Sequence, residues 1–143
     1  VRLKEIVPGL KAINFPRSGV NYHAYFSFKK LTEGEARRAL MLLFGLDPYL
    51  KLAIAVDEDI DVFNESEVLW ALATRFQADT DMFVVPKVLS SQLDPSSVEG
   101  KSAKLAIDAT VPLGWKEKRA TLSPESVAAA RALIDEMSKA RNS

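Results

Sequence analysis

The chain has 143 residues, of which 48% are hydrophobic, and its nineteen basic and nineteen acidic side chains cancel in net charge. This length suits one domain with an apolar core, and the neutral balance excludes the strong global charge that attracts nucleic acid or an anionic membrane. The absence of cysteine excludes disulfides, thiolate nucleophiles and zinc-thiolate sites, and it is typical of a cytoplasmic protein.

No stretch of the sequence predicts a membrane span or a signal peptide. The longest apolar run, Ala39 to Leu46, is far shorter than the roughly 20 residues that cross a bilayer. The chain begins at Val1 rather than Met, as a fragment or a processed product would. We expect a single domain over residues 1–143.

Two strands are predicted near the start of the chain. About residues 1–8 form a leading linker that ends at the Pro8-Gly9 turn, and a short strand follows at Leu10 to Phe15. Tyr22 to Phe28 alternates in polarity and predicts a half-buried strand that pairs with the first as a hairpin. His23 is interpreted as an ordinary strand residue, because no cysteine or Ser-His-Asp pattern accompanies it.

The first predicted helix covers Ala36 to Phe44. Thr32 and Glu35 have the spacing of a capping box, and Gly45 is the expected C-cap. The Lys29-Lys30 pair before this helix is either solvated, which we favour, or reaches a phosphate at the helix N-terminus.

The central stretch of the chain reads as strand, helix, strand. Leu52 to Val56 is an apolar run typical of a strand buried on both faces, and Met82 to Val85 is a second run. Between them, Asn64 as N-cap and Glu67 three residues later predict a helix. About 35 residues in this order predict a βαβ unit, in which the two strands are parallel.

Four acidic residues, Asp57, Glu58, Asp59 and Asp61, follow the central strand. They are either oxygen ligands of a hard divalent cation or, as we favour, a solvated turn whose carboxylates pair with basic neighbours. Arg75, on the following helix, is one candidate partner.

The last third of the chain predicts a loop, a strand and a helix. Pro86 to Ala103 is rich in turn residues, and Lys104 to Ala109 returns to the character of a strand. Residues 114–143 form a connector with an exposed Trp115 and a docking helix whose N-cap is Ser123. The apolar stripe of that helix suits docking on its own domain or on another subunit. The stripe consists of Val127, Ala130, Ile134 and Met137.

The predicted fold class is α/β, or α+β by some definitions. A mixed sheet of about five strands carries about three helices in the order ββαβαββα. No glycine-rich nucleotide fingerprint, P-loop or internal repeat accompanies it.

Four ordered blocks of this sequence closely resemble the C-terminal domain of the UbiD family. These enzymes are prenylated-flavin-dependent decarboxylases and carboxylases of aromatic and α,β-unsaturated acids, such as 3-polyprenyl-4-hydroxybenzoate. The likeness extends over nearly all of Val7 to Leu113. The four blocks are Val56 to Val62, Glu67 to Gln77, Leu93 to Ser96, and Ser102 to Thr110.

The resemblance implies a role for several residues of this chain. Lys11 matches a lysine that approaches the phosphate of the prenylated FMN, although a surface lysine after a turn is an equal alternative. Arg17, Pro48 and Leu50 fall near positions that line the substrate mouth. Arg17 is a charge where some relatives have an apolar residue, which favours a polar or anionic substrate.

The resemblance also implies what the chain lacks. The catalytic residues, the ligands of a divalent metal and of K⁺, and most flavin contacts belong to preceding domains of the family. No catalytic residue and no metal ligand is therefore expected here. The chain would be part of a carboxy-lyase, would close over the flavin site, and would be inactive alone.

The expected partners are the remaining N-terminal and middle domains or a catalytic subunit, with homo-oligomerisation through the C-terminal region. Neither nucleic acid nor a membrane is expected as a partner, and the location is expected to be cytoplasmic. The alternative is a separately encoded small subunit or accessory association module without catalysis. A second rival is a small domain that binds metal through Asp57 to Asp61.

Overall fold

The structure of the chain is a computed structural model that describes residues 3–116 and 121–141. It confirms the predicted order ββαβαββα and adds a short first helix and a 3₁₀ turn. The first half contains α1 (Leu3–Ile6), β1 (Leu10–Asn14), the 3₁₀ turn (Arg17–Gly19), β2 (His23–Phe28) and α2 (Glu35–Leu46). The second half contains β3 (Leu52–Asp57), α3 (Glu65–Arg75), β4 (Met82–Leu89), β5 (Lys101–Ala109) and α4 (Pro124–Arg141).

The five strands form one mixed sheet in the order β1-β2-β3-β5-β4. The β1–β2 pair is antiparallel, as predicted, and β2, β3 and β5 are parallel to one another. The three parallel strands therefore place their carboxyl ends at one edge of the sheet and their amino ends at the opposite edge.

The predicted parallel pairing of β3 with β4 is wrong. β5 lies beside β3, and β4 pairs with the outer side of β5 in the antiparallel sense. The predicted loop from Pro86 to Ala103 is also shorter, since β4 continues to Leu89 and β5 begins at Lys101. The physical reason is exposure. Val84 is 52% exposed because β4 is an edge strand, and β4 is therefore not the doubly buried strand that its apolar run suggests.

Each face of the sheet carries its own core. Alternate residues of β3 point to opposite faces, so Ala53 and Ala55 join one core while Ile54 and Val56 join the other. Helix α2 covers the first face and α3 covers the second. The fully buried side chains of the first core include Phe26, Phe28, Leu40 and Leu50, and those of the second include Val56, Val62 and Val68.

Two of the predicted helix ends differ from the structure. Helix α2 has Gly34 as its N-cap at a φ of 87°, and it ends at the C-cap Asp47 rather than at Gly45. The carboxylate of Glu35 still accepts hydrogen bonds from the backbone N–H groups of Leu31 and Thr32, at 2.7 and 3.2 Å. Glycine adopts the left-handed region at little conformational cost, so the helix begins after Gly34 and not after Thr32.

Helix α4 contains no buried residue. Its predicted start is confirmed, since the Ser123 hydroxyl accepts a hydrogen bond from Ser126 N at 3.2 Å. Ile134 and Met137 are 61% and 65% exposed. Trp115 is half exposed, while the rest of the predicted connector, residues 117–120, lies outside the described residues. Among the described helices, none is long and apolar enough to cross a membrane.

We expect Asn64→Ala to lower the free energy of unfolding by about 1 kcal/mol. The Asn64 side chain accepts a hydrogen bond from Ser66 N at 3.1 Å, and alanine leaves this N–H of α3 without its partner. Urea denaturation of the chain measures the change. Asn64→Asp keeps the acceptor and serves as the control, and an equal loss in both variants would contradict the capping role.

Candidate functional site

The candidate functional residues divide between the two edges of the sheet. Lys11 lies at the edge where β2 and β3 end. Its neighbour Leu10 pairs with Phe28, which is the last residue of β2. Pro48 and Leu50 precede β3 and lie at the opposite edge. The six residues of β3 separate the two edges by about 20 Å.

At the amino edge, three segments enclose a cavity of about 900 Å³. The first wall comes from the turn between β1 and β2, the second from the segment before β3, and the third from the loop after β4. Pro48, expected at a substrate mouth, lines this cavity, and the turn that Arg17 opens leads into its first wall. The cavity is lined by Val20, Asn21, Tyr22, Pro48, Tyr49, Leu89, Ser90, Ser91, Gln92 and Leu93.

The first wall is a strained turn. Val20 and Asn21 adopt positive φ values of 50° and 64°, and Val20 N donates a hydrogen bond to the carbonyl of Arg17 at 3.1 Å. A β-branched residue in the left-handed region is unusual, and such strain persists where the surroundings fix the backbone. Gly19 provides part of that constraint, since a Cβ at this position would lie 2.5 Å from the Cβ of His23.

The second wall is held from behind by a buried lysine. Lys104 of β5 has no exposed surface, and its Nζ donates hydrogen bonds to the carbonyls of Pro48 at 2.7 Å and Leu50 at 2.5 Å. Burial lowers the pKa of the Lys104 ammonium. The Leu50 side chain is fully buried in the first core and supports the wall, whereas Pro48 is exposed and forms its surface.

Sequence reasoning missed this role of Lys104. The signal was a lysine inside the apolar stretch of β5, a position where an unpaired charge is costly. Its two acceptors are 56 and 54 residues away in the chain, so no local spacing indicates them.

The third wall is tied down by the ion pair between Lys51 and Asp94. Lys51 Nζ lies 2.8 Å from Asp94 Oδ2, and Asp94 Oδ1 accepts from the backbone N–H and the hydroxyl of Ser96. The Lys51 ammonium and these Ser96 donors lower the pKa of Asp94 from 3.8 to about 2. The loop that contains Ser90 to Leu93 is thereby fixed to the strand edge.

The lining of this cavity suits an apolar or aromatic ligand. Tyr22, Tyr49 and Leu93 present rings and an aliphatic side chain, and Leu93 is 87% exposed. Among residues 3–116 and 121–141, those that line the cavity include no carboxylate, histidine or lysine. The cavity can bind and orient a ligand, but it offers no strong acid or base for proton transfer.

At the carboxyl edge, Arg75 binds two of the four acidic residues, which confirms it as their partner. Its guanidinium lies 2.9 Å from Asp57 Oδ2 and 2.7 Å from Asp59 Oδ2, and it stacks over the Trp70 ring at 5.1 Å. Burial raises the pKa of Asp57, against the hydrogen bond from Val111 N at 3.0 Å. Within the described ranges, no three or more His, Asp or Glu side chains converge as metal ligands.

The three lysines at this edge differ in their environment. Lys11 Nζ lies 3.5 Å from Glu58 Oε2, with about half of each side chain exposed. Lys29 is exposed, as the solvated interpretation predicts, but that interpretation is wrong for Lys30. Only 5% of the Lys30 side chain is exposed, and its Nζ lies 2.9 Å from the carboxylate of Glu33.

Comparison with known proteins connects this geometry to one enzyme family. A sequence model of the 3-octaprenyl-4-hydroxybenzoate carboxy-lyase C-terminal domain matches residues 1–109. Anhydromevalonate phosphate decarboxylase from Aeropyrum pernix is 41% identical over 112 residues, which cover 78% of this chain and 26% of that protein. Gallate decarboxylase from Lactiplantibacillus plantarum is 41% identical over 96 residues, 60% of this chain and 20% of that protein.

Solved structures share the fold. The UbiD-class enzyme HmfF from Pelotomaculum thermopropionicum, in complex with FMN, superposes with a TM-score of 0.81 at 38% identity, over 85% of this chain and 28% of that chain. The closed form of vanillic acid decarboxylase from Sedimentibacter hydroxybenzoicus superposes with a TM-score of 0.75 at 29% identity. The match covers 96% of this chain and 30% of that chain. The chain thus spans about a quarter of the length of the curated relatives it matches.

We expect Asp94→Asn to change how stability depends on acid pH. A carboxyl whose folded pKa is depressed stabilises the fold above its unfolded pKa, and this contribution is lost as the pH falls through the folded pKa. For Asp94 that window runs from about 3.8 down to about 2. The difference in unfolding free energy between wild type and Asp94→Asn should be constant above pH 5 and shrink across that window.

Urea titrations at several pH values measure this difference. Asp79→Asn, in the exposed turn after α3, is the matched control for the loss of an aspartate outside the ion pair. A difference between wild type and Asp94→Asn that is independent of pH would contradict the assigned ion pair.

Proposed function

The chain belongs to the UbiD family, as its C-terminal domain, and on this premise we propose that it closes the active site of a non-oxidative decarboxylase or carboxylase of aromatic or α,β-unsaturated acids. Two observations together support the proposal. The family model matches residues 1–109, and the described residues that line the largely apolar cavity include no strong acid or base. Such a cavity completes a substrate pocket whose reactive groups come from elsewhere.

The proposed cofactor is prenylated FMN, held mainly by preceding domains. The neighbouring HmfF structures contain FMN or prenylated FMN. When bound, the modified flavin supplies the electron sink for loss of CO₂. Lys11 fits a role at its phosphate, because its side chain is half exposed and a lysine acts as a mobile point charge. Glu58 would then release Lys11 to the phosphate.

A closing motion explains why this domain carries binding residues and no catalytic ones. The vanillic acid decarboxylase of Sedimentibacter hydroxybenzoicus occurs in open and closed forms. A hinged domain that brings an apolar wall over the cofactor expels water and confines the substrate. The strained turn, the hydrogen bonds from Lys104 and the ion pair of Lys51 with Asp94 keep that wall rigid while the domain moves as a body.

The divalent metal and K⁺ are proposed to lie in the domains that precede this one. The metal-binding rival rests on Asp57 to Asp61, yet Asp57 and Asp59 already bind Arg75. We therefore propose a structural role for this cluster, which anchors α3 to the end of β3. Calorimetry with Mg²⁺, Mn²⁺ and Ca²⁺ distinguishes the two, because metal binding would give a saturable heat change and a purely structural cluster would give none.

The exposed helix α4 supports association as a second role. None of its apolar side chains is buried within the described residues, and Ile134 and Met137 are mostly exposed. We propose that this C-terminal region contributes to a homo-oligomer in the cytoplasm. The alternative is a separately encoded small subunit without catalysis, and the mass of the native polypeptide separates the two. A band near 15.8 kDa favours the subunit.

We expect the 143-residue chain to show no decarboxylase activity, because the catalytic residues and most of the flavin contacts of the proposed reaction belong to the preceding domains. The assay combines the chain with prenylated FMN and measures CO₂ release from 4-hydroxybenzoate and from anhydromevalonate phosphate. Joined to the remaining domains, or mixed with a catalytic subunit, the same chain should support turnover.

The Lys11→Met variant of the complete enzyme provides the control for cofactor placement. It should retain FMN less tightly than the wild type, since a charge-assisted contact is lost.

Turnover of either acid by the isolated chain would refute the proposal that the catalytic residues lie in the preceding domains.

The substrate class is tested at Arg17. An arginine that meets a phosphate contributes a charge-assisted, bidentate contact worth about 1.5–3 kcal/mol. In the complete enzyme, Arg17→Gln should therefore raise KM for anhydromevalonate phosphate by about tenfold or more, and KM for 4-hydroxybenzoate by much less. Arg38→Gln, on the exposed side of α2, is the matched control. Equal changes for both acids would contradict a phosphate-binding Arg17.

A further inference from the structure

Lys104 is an unusual residue for the interior of a strand. Its side chain has no exposed surface, and its ammonium lies 6.0 Å from the centre of the Phe44 ring. Transfer of a charge from water into such surroundings is costly unless hydrogen bonds replace the lost hydration. A methionine would fill the same volume without this cost but would leave two backbone carbonyls without their donor, so the lysine acts here as a hydrogen-bond donor and not as a core side chain.

The two acceptors of Lys104 lie in one short segment. The carbonyls of Pro48 and Leu50 flank Tyr49, and both hydrogen bonds converge on the same Nζ. Helix α2 ends at Asp47, directly before this segment, and its last carbonyls favour a cation. Two contacts from one rigidly held ammonium define the position of the Pro48–Leu50 segment relative to β5.

This segment is the second wall of the cavity. The buried Leu50 side chain anchors it in the first core, and Leu105 N donates to the carbonyl of Lys51 at 2.7 Å, but few other hydrogen bonds hold its backbone. Lys51 N donates to Tyr22 O at 2.7 Å, and Tyr49 N donates to the side chain of Asp47 at 2.9 Å. Pro48 has no N–H of its own to donate. Without Lys104, the carbonyls of Pro48 and Leu50 would lose their shared partner, and the wall could move outwards.

We propose that Lys104 is a positioning residue that fixes the Pro48–Leu50 wall and thereby sets how tightly the complete enzyme holds its substrate. This inference rests on the proposed function, in which the cavity completes the substrate pocket. Lys104 acts through the backbone of the wall and does not contact the reacting atoms.

The first test measures the wall itself and needs no activity. Hydrogen exchange of residues 47–51 is compared in the complete protein between wild type, Lys104→Met and Lys101→Met. Lys101 lies on the same strand with 54% of its side chain exposed, and it serves as the matched control. Faster exchange in this segment is expected for Lys104→Met alone, with α3 unchanged as an internal reference.

The second test measures substrate binding with whichever of the two acids named above the wild type decarboxylates. A displaced wall loses contacts that the substrate makes equally in the ground state and in the transition state, and about 1.4 kcal/mol of lost contact energy is a tenfold change in affinity. Lys104→Met should raise KM by at least tenfold and leave kcat within about twofold, which is the signature of lost binding common to ground state and transition state. Lys104→Arg keeps a charged donor and should recover part of the loss.

The outcomes separate this proposal from the proposed function. Unchanged exchange in residues 47–51, or faster exchange with an unchanged KM, overturns the positioning role while the enzyme assignment stands. A Lys104→Met protein that does not fold leaves Lys104→Gln to decide, because its shorter, neutral amide cannot replace an ammonium that donates to both carbonyls: faster exchange with a raised KM supports the role, and wild-type values of both overturn it. A complete wild-type protein without activity overturns the proposed function and the substrate part of this inference, whereas the exchange rates still decide whether Lys104 holds the wall.

Discussion

The burial of β3 on both faces is the constraint on which the rest of the structure depends. Ala53, Ala55 and Val56 have no exposed surface, because α2 covers one face of the strand and α3 covers the other. Inside such a strand a polar side chain has no water and few partners, so polar groups are confined to its ends. Lys51 stands directly before β3, and Asp57 is its last residue.

Two polar networks, one at each end of β3, follow from that confinement. Lys51 binds Asp94 at one end, and Asp57 binds Arg75 at the other. The first network shapes the wall of a cavity, and the second attaches a crossover helix to the end of the strand. Similar ion pairs therefore have different consequences, which depend on whether the attached segment faces open space or packed core.

Most of the helices and strands could be predicted from the sequence, because their signals are local. Apolar periodicity, the Asn64 cap and the Ser123 cap each lie within the element that they define. The place of β4 could not be predicted in this way. Its apolar run resembles that of β3, and only the pairing with β5, which comes later in the chain, shows that β4 is an edge strand.

The residues of the candidate site likewise differ in whether their signals in the sequence are local or distant. The pairing of Arg75 with the acidic turn was predictable, since Asp57 and Arg75 are 18 residues apart and joined by one helix. Arg17 and Pro48 came from resemblance to a family, because nothing in their own spacing points to a cavity. The buried Lys104 was missed because its partners lie more than fifty residues away.

The proposed closure over a cofactor imposes two opposing requirements on this domain, and different parts of the fold would meet them. The closing motion needs freedom between domains, whereas the surface that meets the substrate needs a fixed shape. Here the fixed shape comes from three segments held by a tight turn, a buried ammonium and an ion pair, each tied to the sheet. Because these three interactions lie within the domain, the proposed closure would move the wall as a rigid body, and the flexibility that closure needs would belong to the connection with the neighbouring domains.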